Sequence, residues 1–397
     1  HLARRYPGTG SVYTYVGATF GSRAGLVAGW ITLGAYLSFV MIAVSGFGLF
    51  GSNIVARFPA APQLSPDVIS LIGAVVIGLL CVTSLRSTGR ALVALEGVSI
   101  LAMLGLSAVV LGKVFEGHGP LGDPRIRMVF VLPDHVGLYA IALGLGFGFL
   151  TYSGFETSAT LGDEVAQAAR TIPRVLILTV LTVGIACTVI SAAEVLGFGL
   201  STADMTRFAA STSLLGDLAG EYAGRGIGDV FDIFAMLSAL GAGLAAIAAG
   251  SRILFTLLRD VAPTSALGRI ENATGTPRNA ALLILIAGVI GYEAMRQMFG
   301  ASAADSFFWA STLAALAILL AYLLVSLSAG SSVLRAGAGR LHLVIPIVAA
   351  VAIVFTLWVN VFPVQPGAYA VLPWVILGWI AIPVVVLLAR PRIDRNV

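Results

Sequence analysis

Charged side chains are scarce in this chain. Acidic and basic residues together make up 11% of the 397 residues, whereas 58% are hydrophobic, and the mean hydropathy is +0.98. A soluble domain carries about 25% charged residues, so this composition excludes one. Long apolar runs require α-helices to satisfy the backbone in lipid, and the chain is therefore predicted to be an all-α polytopic membrane protein.

Cysteine and histidine are also rare. Cys81 and Cys187 both fall in apolar runs, which excludes an extracellular disulfide framework. The four histidines do not stand at metal-ligand spacing from one another, so we expect neither a metal site nor a cofactor. No group of His, Asp or Glu stands at catalytic spacing near one interface, so an enzyme is not expected.

Membrane-length apolar runs occur ten times. They lie at residues 24–50, 67–85, 91–113, 137–162, 174–198, 230–258, 279–298, 306–329, 341–362 and 369–389. No long polar or low-complexity linker separates them, so residues 1–397 are predicted to form one membrane domain. If the N-terminal arginines are cytoplasmic, alternation puts most of the 23 basic residues inside. The basic residues thus indicate topology, and we expect the lipid bilayer rather than nucleic acid as a partner.

The start of the chain is unusual. His1 stands where an initiator Met would be, and the first residues lack the pattern of a signal peptide. We therefore expect the chain to be a fragment of a longer protein.

The segment 144–164 is rich in glycine and contains a carboxylate, Glu156. A charged side chain at the bilayer centre costs at least about 2.5–3.5 kcal/mol, so such an acid normally faces a cavity or a pathway. Small residues weaken the helix, and transporters build substrate sites at broken membrane helices. This segment is the principal candidate for a functional site.

Four segments resemble the amino acid–polyamine–organocation permeases, in the family's order. They are residues 2–15 with 25–30, residues 84–90, residues 153–156 with 163–164 and 171–174, and residues 251–260 with 275–277. The resemblance implies the leucine-transporter-like inverted-repeat fold, with ten transmembrane helices present as family helices three to twelve. Residues 1–23 would be the end of helix two and a cytoplasmic loop, residues 24–329 helices three to ten, and residues 341–389 helices eleven and twelve.

The resemblance implies a substrate site at the unwound part of the sixth family helix. Thr151, Tyr152, Ser153 and Gly154 would lie there, with free backbone groups that hold an amino acid or amine. The alternative is that the hydroxyls bond back to the helix and the glycine eases packing. The first family helix, which supplies the other half of this site, is not in the chain.

Glu156 matches a family acid implicated in the transport cycle, so it is a candidate for proton coupling. The alternative is a structural acid that is hydrogen-bonded to neighbouring helices. Ser99 stands where some proton-coupled relatives have a lysine, and it is a candidate ion-site residue. Glu96, one turn before Ser99, is a second proton-coupling candidate or an interfacial acid that pairs with Arg86 or Arg90.

Two further positions follow from the resemblance. Tyr36 aligns with a region that lines the side-chain pocket, although a tyrosine packed in the core fits as well. Ser238 begins a run of small residues on the eighth family helix, where relatives place sodium ligands; close helix packing is the alternative.

Charges at cytoplasmic helix ends are candidates for gate salt bridges or for solvated topology signals. They are Asp163, Glu164, Arg252 and Arg259.

The sequence thus predicts a secondary permease of the bacterial cytoplasmic membrane that moves amino acids or related amines by alternating access. Proton-coupled symport is the first hypothesis, with H+ as the coupling ion. The alternatives are amino acid, amine or polyamine exchange without a proton requirement, and a non-transporting membrane sensor or inactive fragment. The oligomeric state cannot be read from the sequence.

Overall fold

The computed structural model describes residues 11–58, 60, 62–82, 85–121, 137–156, 167–261, 278–337 and 341–389. Within these ranges the regular structure is helical and contains no strand. Thirteen α-helices are labelled in chain order. They are α1 Ser11–Phe20, α2 Ser22–Ala56, α3 Pro66–Val82, α4 Leu85–Lys113, α5 Leu138–Tyr152, α6 Ala168–Phe198, α7 Thr202–Ala210, α8 Leu214–Tyr222, α9 Arg225–Val261, α10 Arg278–Phe299, α11 Ala303–Arg335, α12 Leu341–Val361 and α13 Leu372–Ala389.

The all-α membrane architecture predicted from composition is confirmed. Eight helices of the described part are long and apolar enough to cross a bilayer, and two shorter apolar helices lie at Pro66–Cys81 and Tyr139–Tyr152. These two occupy the regions of the remaining predicted spans, so the count of ten is not confirmed. The helix predicted to continue to residue 162 ends at Tyr152 because the backbone leaves helical geometry at the next residue.

Helix α2 occupies the centre of the bundle. It packs most extensively against α9 and α11, and also contacts α1, α3, α10 and α13. Two thirds of its apolar span is buried inside the protein (67%), whereas none of the corresponding span of α6 is. A helix that is hydrophobic on all sides is suited to such a position, since no face of α2 has to meet water.

Ion pairs join the helices at one end of the bundle. Arg57, which follows α2, pairs with Asp229 and with Asp232 of α9, and its Nη2 lies 2.7 Å from the Asp232 carboxylate. Arg296 of α10 pairs with Asp67 of α3 and with Glu293 on its own helix. These ion pairs connect α2 to α9 and α3 to α10 at this end of the bundle.

A capping box starts the short helix α7. The Ser201 hydroxyl accepts a hydrogen bond from the Asp204 backbone N–H, and the Asp204 carboxylate accepts from the Ser201 N–H and hydroxyl. These hydrogen bonds favour the charged carboxylate and lower the pKa of Asp204. The box fixes the start of the α7–α8 segment, which packs against α4, α6 and α9.

Two tryptophans join α13 to the central helix. Trp30 of α2 donates its indole N–H to the Trp379 carbonyl at 3.0 Å, and Trp379 donates to the Trp30 carbonyl at 2.9 Å. Their rings stack with centroids 4.7 Å apart. One turn beyond Trp30, Gly34 leaves room for this arrangement, because a Cβ there would lie 2.6 Å from the Trp379 indole nitrogen.

We predict that Gly34→Ala destabilises the protein. The added methyl group would force the stacked tryptophans apart, and overpacking of this kind costs about 1–3 kcal/mol. The measurement is thermal unfolding of the purified protein in detergent. Gly378→Ala on α13 is the matched control, since no atom lies within 4 Å of its Cβ position. Equal melting temperatures for the two variants would contradict the prediction.

Candidate functional site

The candidate site begins where α5 ends. Ser153 has an extended backbone, with φ −63° and ψ 139°, and Gly154 has a φ of +105°, a conformation that L side chains rarely adopt. Thr151 and Tyr152 remain in the last helical turn. The Thr151 hydroxyl bonds back to the Phe147 carbonyl at 2.9 Å. The break therefore covers Ser153 and Gly154. The Leu150 carbonyl accepts from the Ser153 N–H at 2.9 Å, whereas the carbonyls of Thr151 and Tyr152 receive no N–H from a continuing helix.

Glu156 lies directly after this break and is buried, with 7% of its surface exposed. Its carboxylate accepts three hydrogen bonds. Tyr36 of α2 donates to Oε1 at 3.0 Å, Tyr322 of α11 donates to Oε2 at 2.7 Å, and the Gly154 N–H donates to Oε2 at 2.9 Å. The carboxylate thus connects the end of α5 to two membrane helices.

The two tyrosines are held by packing as well as by Glu156. Tyr36 is 3% exposed and lies against Gly250 of α9, whose Cβ position is 3.3 Å from the Tyr36 Cβ. The ring centroids of Tyr322 and Phe155 are 5.7 Å apart. The Glu156 carboxylate therefore meets preorganised donors. The contact between Tyr36 and Glu156 unites two residues that sequence reasoning had selected separately.

Sequence reasoning missed Tyr322. The one signal was a hydroxyl-bearing aromatic residue in the middle of an apolar span, which needs a hydrogen-bond partner when it is buried. That signal does not identify the partner, since Tyr322 and Glu156 are 166 residues apart.

Ser99 and Ser238 lie away from Glu156, around a separate cavity. Both line a cavity of about 500 Å³ between α2, α4, α6, α9 and α11. The Ser99 hydroxyl donates to the Leu95 carbonyl at 2.9 Å. Glu96 faces α9 nearby, where its Oε1 lies 3.2 Å from the Cβ position of Gly241.

Glu194 of α6 also lines this cavity. Sequence reasoning missed this residue, although a carboxylate within an apolar membrane span was a usable signal. Its position four residues before the end of α6 made it resemble an ordinary interfacial acid.

The gate candidates are only partly described. Arg252 and Arg259 lie in the last three turns of α9, the first half-buried and the second exposed. Asp163 and Glu164 lie outside the described residues. Within the described ranges, no three His, Cys, Asp or Glu side chains come together as metal ligands would.

These features define a polytopic helical membrane protein with a buried carboxylate at a break in one helix. The model of the amino acid permease family matches residues 1–394, and the chain belongs to this family. The family resemblance inferred from sequence motifs is confirmed. The family and the bacterial relatives described next also confirm an integral protein of the bacterial plasma membrane.

Two curated relatives are transporters. The chain is 28% identical over 295 residues to the low-affinity putrescine importer PlaP of Escherichia coli (strain K12), covering 74% of this chain and 62% of that protein. It is 25% identical over 303 residues to the branched-chain amino acid permease BcaP of Lactococcus lactis subsp. cremoris, covering 72% and 62% respectively. The chain thus spans less than two thirds of the length of either relative.

A solved structure is also similar. It is that of the Eremococcus coleocola manganese transporter in complex with an aromatic bis-isothiourea substituted compound. The TM-score is 0.48 at 12% identity, and the match covers 99% of this chain and 93% of that one.

We predict that Tyr322→Phe destabilises the protein by about 1–3 kcal/mol, because it removes a donor to a buried carboxylate. Thermal unfolding in detergent measures the effect. Tyr139→Phe is the control, since the Tyr139 hydroxyl accepts a hydrogen bond from Gln365 at an exposed position. If both variants melt like the wild type, the hydroxyl of Tyr322 contributes nothing to stability and the prediction is wrong.

Proposed function

We propose that this protein is a secondary permease that moves amino acids or related amines by alternating access, with Glu156 as the proton-coupling group. Membership of the amino acid permease family supports transport as the activity. The relatives named as a putrescine importer and a branched-chain amino acid permease support an amine or an amino acid as the substrate. The relatives are transporters rather than enzymes.

The end of α5 forms part of the proposed substrate site. A helix C-terminus carries a partial negative charge on its unpaired carbonyls, which favours a cation. An ammonium group is common to amino acids and amines, so it suits the carbonyls that precede Ser153 and Gly154. The Thr151 side chain is exposed, and the Tyr152 hydroxyl lies 2.6 Å from the Cβ position of Gly184 on α6.

The hydrogen bonds of Glu156 carry the proposal of proton coupling. In its anionic form the carboxylate accepts from Tyr36, Tyr322 and the Gly154 N–H. A protonated carboxyl group carries its own O–H donor. One tyrosine hydroxyl must then rotate so that its oxygen accepts a hydrogen bond from the carboxyl O–H, or the tyrosine must move away. Because these donors belong to α2, α11 and the α5 break, protonation would change how three elements are held together.

The same three contacts fit a purely structural acid, the alternative to proton coupling. The two roles differ in what happens when the proton gradient is varied. A structural acid supports the fold at every gradient, whereas a coupling acid is needed only when proton movement drives substrate accumulation.

The test is Glu156→Gln in proteoliposomes, with labelled putrescine and leucine as the probes. Glutamine has nearly the same size as glutamate, but its side-chain amide does not take up a proton at physiological pH. We expect wild-type protein to accumulate substrate under an imposed inward proton gradient. The variant should lose this accumulation and keep counterflow, which requires only substrate exchange.

Glu221→Gln is the control, because Glu221 is an exposed acid that pairs with Arg207 away from the site. It should transport like the wild type. Uptake by the wild type that needs internal substrate and ignores the proton gradient would overturn symport in favour of exchange. Absence of both uptake and counterflow in the wild type would overturn transport and favour a sensor.

A further inference from the structure

The cavity that contains Ser99 and Ser238 is separate from the Glu156 site. Neither Tyr36 nor Glu156 lines it, and its wall includes residues 211–215, between α7 and α8. Its volume of about 500 Å³ is within the range of small-molecule sites, roughly 300–1,000 Å³. The wall is largely apolar, with five hydroxyls and one carboxylate among its described residues.

That carboxylate belongs to Glu194. Of the described side chains that line the cavity, Glu194 alone is ionisable. Its carboxylate has no hydrogen bond or ion pair with any other described residue, in contrast to Glu156 with its three donors. Glu194 is half-buried and faces the cavity. Because opposite charges attract more strongly beside an apolar wall than in bulk water, a cation that enters the cavity would be drawn to Glu194.

The rest of the wall suits an organic cation. The Ser99 hydroxyl uses its hydrogen for the Leu95 carbonyl and so presents only acceptor lone pairs to a ligand. The rings of Phe231, Phe234 and Phe307 also line the cavity. Aromatic faces attract ammonium groups and cover alkyl chains.

The wall also disfavours an amino acid. A zwitterion brings a carboxylate as well as an ammonium group, and no Lys or Arg side chain lines the described wall to receive it. Its carboxylate would meet Glu194 as a like charge. Acidic residues outnumber basic ones in residues 199–232, a stretch that contains the cavity-lining residues 211–215. The resulting excess of negative charge attracts cations.

We propose that this cavity binds an alkylamine or diamine, with the ammonium group paired to Glu194 and the alkyl chain among the phenylalanine rings. The inference rests on the proposed function in taking a transported compound as the ligand, and it narrows the substrate class to amines. Glu194 is thus a binding residue that is distinct from the proton-coupling candidate Glu156.

The first experiment measures binding of putrescine and of leucine to the full chain in nanodiscs by calorimetry. A hydrogen-bonded charge pair contributes enough that Glu194→Gln should weaken putrescine binding at least about tenfold. Glu194→Asp keeps the charge and should retain most of the affinity, which separates loss of charge from loss of fold. Glu116→Gln is the control, since Glu116 is an exposed acid outside the cavity.

The second experiment tests access to the cavity. Ala235→Cys, placed in a background where Cys81 and Cys187 are replaced by alanine, puts one thiol on the cavity wall. A water-soluble thiol reagent should label it, and putrescine should slow labelling in the presence of Glu194 but not with Glu194→Gln. Absence of labelling would overturn the proposal, because the cavity would then be closed to water.

The outcomes separate this inference from the proposed function. Equal putrescine affinity in wild type and Glu194→Gln overturns the inference even if transport is observed. Putrescine binding that depends on Glu194, together with no transport of any probe, supports the inference and overturns only the transport proposal. Tighter binding of leucine than of putrescine, lost in Glu194→Gln, would also overturn the assignment to amines.

Discussion

The buried position of α2 is the constraint on which the rest of the structure depends. Because α9 and α11 pack along it and α13 is joined to it by Trp30 and Trp379, α2 can present polar groups only to sites inside the protein. Tyr36 is such a group, and it donates to Glu156. Farther along the same helix, Phe50 lines the cavity that contains Glu194. Both candidate sites are therefore built on a helix that has little freedom to move within its packing.

Glu156 and Glu194 show how the surroundings of a carboxylate decide its role. Glu156 is surrounded by donors, so its charge is compensated by the protein and its protonation would disturb contacts among three elements. Glu194 borders a cavity without a described partner, so its charge is available to a ligand. Environments that differ in this way are how proteins give different tasks to chemically identical groups.

The sequence was sufficient for the fold class and the family, and for only part of the site. Scarcity of charge requires a helical membrane protein, and motif order identified the family. Glu156 could be selected because the cost of a charge in lipid and the helix-weakening glycines are local properties. Tyr322 and Glu194 were missed because their significance comes from contacts between distant segments. The count of spans was not confirmed because the apolar helices at Pro66–Cys81 and Tyr139–Tyr152 are shorter than the other eight.

The two sites lie at different depths along one helix. Tyr36 and Ile42, the α2 residue of the cavity wall that is nearest to it in sequence, are six positions apart, which at 1.5 Å per residue is about 9 Å along the axis. Neither Tyr36 nor Glu156 lines the cavity, so an amine bound beside Glu194 does not contact Glu156. If both sites serve transport, they must act in sequence, with Glu194 attracting the cation and the α5 carbonyls beside Glu156 holding it next. Such an order would let a permease select for positive charge before the step that involves the proton.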